Sequence, residues 1–156
     1  MANISDDLRW SLVRSHTCFL YKRNGQTKRS GKVVLTAEPN NLMNKNSYKY
    51  SGLANSKAVG IEFAKDSEGR PCAAMCLKSS KKSNKPKKSV GKSVIKKSFP
   101  SVCQAIEKQT RGTHYRPDLE NAALVRWSKV HRALRVKKGE MKPMTISSGR
   151  KSQTSA

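Results

Sequence analysis

Residues 78–97 carry nine lysines and no acidic residue, with Ser, Pro and Gly between them. Like charges at that density repel one another, and few large apolar side chains are available to bury, so the stretch is expected to be a linker that cannot pack a core. The folded mass then has to lie on either side. A helix-plus-antiparallel-sheet module is expected over 1–77, two helices that pack on it over 98–136, and a basic extended tail over 137–156. The expected class is α+β: a small antiparallel sheet packed by an N-terminal helix and C-terminal helices. With 156 residues and only 35% hydrophobic composition, the core should be modest and much of the chain should lie outside it.

The elements on each side can be read locally. Ser5-Asp6-Asp7 supplies a cap and acidic first turn for a short helix from about Asp6 to Arg14. Thr17–Tyr21 is β-branched and aromatic and reads as a strand; Asn24-Gly25 is a hairpin turn signal, and Lys32–Thr36 is the return strand. Val59, Ile61 and Phe63 alternate along a half-buried strand, Asp66–Gly69 is a turn, and Cys72–Lys78 is a strand with Cys72, Ala74, Cys76 and Lys78 on one face. Ser98 and Pro100 start a helix whose Phe99, Val102, Cys103 and Ile106 share a face, and Gly112 is expected to end it. Pro117, Asp118 and Glu120 open a last helix running to about Val136, with Leu119, Ala123, Trp127, Val130 and Leu134 as its apolar stripe.

One block fits none of these patterns. Glu38–Leu53 is rich in Asn, poor in aliphatic residues and has no acid after Glu38. Tyr48 and Tyr50 stand at strand spacing, which would put both rings on one face, and Tyr48 is expected to turn inward. Such a block buries little apolar surface. It either decorates the fold or is held by a polar partner.

The formal net charge of +23, from 33 Lys and Arg against 10 Asp and Glu, points to a polyanionic partner. Nucleic acid is the commonest one, because each phosphate contact releases condensed counterions. Tyr48, Tyr50 and Tyr115 beside Lys49 and Arg116 add stacking surface next to charge. The bland alternatives are a solvated charged face or a nuclear import signal within 78–97; three separate basic regions argue against both as the whole explanation. Catalytic and metal patterns are absent. Cys72 and Cys76 have three residues between them, not the two of a zinc knuckle. His16, His114 and His131 sit in no nucleophile motif. Gly91-Lys92-Ser93 resembles the end of a phosphate-binding loop, but Pro86 stands where that loop needs Gly. Met1–Asp7 has no apolar run of signal-peptide length, so an intracellular chain with reduced cysteines is expected.

Four blocks carry a family resemblance: Phe19–Asn24, Glu38–Leu42, Asn46–Leu53 and Tyr115–Leu119. In order and approximate spacing they resemble the eukaryotic large-subunit ribosomal protein L-twenty-eight family, the eukaryote-specific type and not the bacterial protein of that number. The early tryptophan helix (Trp10) and the basic tail fit too, so the likeness covers the chain to about Val136. Lys28–Leu35 looks like an insertion, and 78–97 is richer in lysine than the family pattern.

The resemblance implies a non-catalytic structural constituent of the large ribosomal subunit. Its partners would be large-subunit rRNA and neighbouring ribosomal proteins, in the cytoplasm after nucleolar assembly. It implies RNA contact at Arg23, Asn40, Asn41, Asn46, Lys49, Tyr50 and Arg116. Basic surface and extensions extend the RNA-binding expectation to Lys22, Lys45, Lys81, Lys82, Lys85, Lys87, Lys88, Arg126, Arg132, Arg135, Lys137 and Lys138. No cofactor, metal, membrane or small-molecule substrate is expected. A nucleolar ribosome-assembly factor with a similar Asn-aromatic-Gly-Leu block is the alternative. That family typically adds clustered cysteines near the block and an acidic tail, and neither is present here.

Overall fold

A computed structural model describes residues 4–22, 34–82 and 85–144. Helix α1 (Asp6–Val13) opens the chain, and the Ser5 hydroxyl accepts from the Leu8 amide at its first turn. Strands β1 (Leu20–Lys22) and β2 (Val34–Thr36) pair antiparallel, Leu20 opposite Thr36. The expected Asn24-Gly25 turn between them lies outside the described residues. The main sheet is β3 (Val59–Lys65), β4 (Pro71–Lys78) and β5 (Val90–Ile95), all antiparallel in that order. A single helical turn, α2 (Pro86–Ser89), precedes β5. Helices α3 (Phe99–Glu107) and α4 (Glu120–Lys137) follow. The class is α+β as expected, with two small sheets in place of one.

The core lies between one face of the main sheet and the two long helices. Alternation sends Val59 and Ile61 of β3 and Ala73 and Met75 of β4 to that face. Val102 and Ile106 of α3 meet them, together with Ala123, Trp127, Val130 and Leu134 of α4. Phe99 stacks on Trp127, with ring centroids 5.9 Å apart, and His131 closes the same cluster. The α4 stripe expected from the sequence is buried throughout, Leu119 included. Phe63 continues the β3 alternation beyond the helix and is half exposed, with the Lys137 ammonium 4.7 Å from its ring centroid. The helix after Ser98 does not stop cleanly. It widens through Lys108–Gly112, where Thr110 is fully buried and its hydroxyl donates to the Ile106 carbonyl.

The lysine-rich stretch corrects the linker expectation. Its second half is β5, paired with β4 from Val90 opposite Lys78 to Ile95 opposite Ala73. Most of β5 stays exposed, so burial does not hold it. Ladder hydrogen bonds do, together with two of the few acids: Lys92 reaches Glu62 at 3.1 Å and Lys96 reaches Asp66 at 2.7 Å. A segment with little apolar content thus completes a sheet because its charges find partners across β4, on β3 and on the turn that follows it.

The rear face of β4 is also closed. Cys76 and Ala74 are buried there, and burial pushes the Cys76 thiol up to about 11. Cys18 is exposed. At pH 7.5, a maleimide is expected to label Cys18 in the native chain and Cys76 only after denaturant is added. Mass-spectrometric mapping checks this; labelling of both at one rate would place the rear face of β4 in solvent.

Candidate nucleic-acid interface

The Asn-rich block is built as a polar miniature core. Pro39 pre-sets an extended Glu38, whose buried carboxylate takes hydrogen bonds from the Asn41 amide (2.8 Å) and the Ser51 hydroxyl (3.1 Å). Asn41 also donates to the Lys45 carbonyl and accepts from the Met43 amide. Asn55 donates to the Tyr48 and Ser51 carbonyls. From the rear face of β4, the Lys78 ammonium donates to the Gly52, Leu53 and Asn55 carbonyls. Desolvation lowers the pKa of Lys78, and nearby Glu38 and Asp6 oppose that shift. Leu42 meanwhile joins the core on the opposite face of the sheet. The block therefore reaches both faces around the free edge of β3.

This corrects the reading of the two tyrosines. Tyr48–Tyr50 is one tight helical turn, not a strand, so the rings diverge. Tyr50 is the one packed on the core. Tyr48 is 38% exposed and lies 6.1 Å from the Trp10 ring, and the nearby Asp7 carboxylate raises its pKa. Tyr115 is likewise structural: its hydroxyl binds the Ala58 amide and the Lys78 carbonyl.

The residues expected at RNA fall into two groups. Asn41, Asn46 and Arg116 spend their donors inside the fold. Asn46 donates to the Arg14 carbonyl at 2.8 Å, tying α1 to the block. Arg116 donates to the Lys57 and Lys49 carbonyls and forks onto Asp118, every contact at 2.8 Å. That fork holds the Asp118 carboxyl below its ordinary range. The second group is exposed: Lys45 and Lys49 on the block, Lys81, Lys82, Lys85, Lys87 and Lys88 before β5, and Arg132 and Lys138 on and after α4. Arg135 is partly exposed and paired with Glu140 at 3.1 Å, and Lys137 covers Phe63. Lys22 ends β1, and Arg23 lies outside the described residues. Asn40 and Arg126 belong to neither group and line a cavity beside β3. Lys57, Lys129 and Arg111 are further exposed cations absent from the expected set. For Lys129 the signal was present, since it lies off the α4 stripe.

All ten acids fall within the described residues. Six ion pairs form among those residues, which leaves most exposed lysines with no acid beside them. The profile of the Ribosomal L28e protein family matches residues 8–133, from α1 into α4. The chain belongs to that family. An L28e relative from Schizosaccharomyces pombe, named large ribosomal subunit protein eL28, is 31% identical over 141 residues, covering 87% of this chain and 97% of its own. A Dictyostelium discoideum protein of the same name is 35% identical over 132 residues, covering 85% and 90%. The L28e match thus spans both sheets, the Asn-rich block and the helices that frame them.

Proposed function

We propose that this L28e chain is a non-catalytic structural constituent of the large ribosomal subunit that binds large-subunit rRNA through its exposed cations and basic extensions. The observation that carries this is the imbalance of +23 on a fold whose acids are largely used in internal pairing and capping. Exposed lysines with no acid beside them are phosphate contacts in waiting. The names of the relatives support the same reading. Residues 78–88 and the exposed side of α4 present the densest cations for it.

Ile4, Leu8 and Leu12 form an exposed apolar row on and beside α1, each about half open to solvent or more. Asp6 and Asp7 adjoin that row and repel phosphate. This surface suits a neighbouring large-subunit protein and not rRNA.

The chain is expected to sediment with mature large subunits from a cell extract and to remain with them in moderate salt. Recovery only in pre-ribosomal fractions would favour the nucleolar assembly factor. With purified chain and large-subunit rRNA, Lys87→Gln plus Lys88→Gln should lower the slope of log affinity against log salt by roughly 2, about one per phosphate contact. An unchanged slope would remove this pair from the interface.

A further inference from the structure

Between Pro39–Asn44, the free edge of β3 at Gly60–Glu62 and Arg126 of α4 lies a cavity of about 310 Å³. Two of its lining side chains have unsatisfied polar atoms. Asn40 Oδ1 and Arg126 Nε are both buried without a hydrogen-bond partner among the described residues. Arg126 makes no ion pair or hydrogen bond with any described residue, although Glu38 and Glu62 line the same cavity. Glu38 is taken by Asn41 and Ser51, and Glu62 by Lys92. A half-buried guanidinium left open in this way is costly unless something binds it.

Asn40 is held in place deliberately by the fold. Its backbone is left-handed, φ 60°, a conformation that Asn tolerates better than most residues. Its amide lies over Gly60, where a Cβ would stand 2.5 Å from Oδ1. The absence of a side chain at position 60 is what lets the Asn40 amide sit against the sheet edge.

We propose that this cavity receives a single unstacked nucleobase of RNA, its edge read by Asn40 and Arg126. The inference rests on the rRNA-binding reading above and adds to it a base-specific contact. A phosphate offers only acceptors and would meet two carboxylates here. A base edge offers donors and acceptors together, which match an amide oxygen, an arginine fork and carboxylate oxygens in one place. The volume is at the lower end of small-molecule pockets, the scale of one base and far too small for a duplex. Splayed-out bases beside arginine planes are the usual form of sequence-specific RNA recognition.

The test uses large subunits from cells in which Arg126→Gln replaces the native chain, probed with dimethyl sulfate and a carbodiimide, which together report the pairing edges of all four bases. Hydroxyl-radical cleavage is run in parallel to report the backbone. One base protected by the wild-type chain is expected to become roughly ten-fold more reactive, as for loss of one good base contact, with backbone protection retained. Arg126→Lys, which keeps charge but not the fork, should expose the same base, and thermal melting of each purified variant separates misfolding from lost contact. Unchanged reactivity of every base with the variant still bound overturns the cavity proposal alone. Loss of backbone protection without a base change makes the site a phosphate contact and also overturns it. Absence of any wild-type protection of rRNA overturns the RNA-binding reading itself.

Discussion

Gly52→Ala is expected to lower the thermal midpoint by roughly 10 °C, as a loss of about 3 kcal/mol does in a chain of this size. A Cβ at position 52 would overlap the Pro39 carbonyl oxygen and stand 3.0 Å from Asn40 Cβ. Neither neighbour can retreat easily. Pro39 sits between the buried Glu38 and left-handed Asn40, and the Gly52 carbonyl is itself held by Lys78. Relief therefore requires moving the segment that closes the rear of β4, which loosens Glu38, Ser51 and Lys78 together. The side chain added is the smallest possible, so the effect measures how tightly two segments of the Asn-rich block cross. Differential scanning calorimetry checks it; a shift under about 2 °C would show that the block yields without disturbing the sheet. Gly69→Ala is the contrasting case. That glycine has open space around it but a φ of +74°, so only backbone strain of about 1 kcal/mol is expected.

How much of this was legible beforehand depended on whether apolar periodicity carried the information. α4 was readable because five residues at helical spacing all face the core. β3 and β4 were readable because Val59-Ile61 alternates and the following turn has its glycine at positive φ. β5 was not, because it contributes backbone pairing and two salt links and scarcely any burial; by composition alone it is linker. The Asn-rich block was legible as a polar unit but its internal partners were not. Strand spacing for Tyr48 and Tyr50 presumed an extended backbone, and a tight turn after Ser47 reverses which ring is inside. Charge alone could not sort the arginines either. Arg126 and Arg116 read alike in the sequence, yet the first has no side-chain partner among the described residues beside its cavity and the second is saturated.

Arg116→Ala is the sharper test of that sorting. Its guanidinium joins carbonyls 59 and 67 residues away in sequence, at Lys57 and Lys49, while forking onto Asp118 two residues on. One side chain thus pins the start of α4 to the end of the Asn-rich block and to the segment that leads from it into β3. Removing it leaves two carbonyls and a carboxylate to partly exposed water, so a destabilisation of about 2–3 kcal/mol is expected in urea unfolding at pH 7. Arg116→Lys should recover only part of it, because one ammonium cannot span three acceptors in a plane. The carboxylate's share has a definite pH signature. Asp118 has its pKa lowered by Arg116, so the pair stabilises the fold above the unfolded carboxyl value of about 4 and loses that contribution as pH falls through the folded one. The gap between wild type and Arg116→Ala should therefore narrow below about pH 4 without closing, since the carbonyl bonds do not titrate. Lys49→Gln is the complement: its ammonium is exposed, so stability should hold while the salt slope of RNA affinity falls by about 1. If Arg116→Ala instead lowers the salt slope and leaves the urea midpoint unchanged, the guanidinium faces phosphate, and the brace between α4 and the block must lie elsewhere.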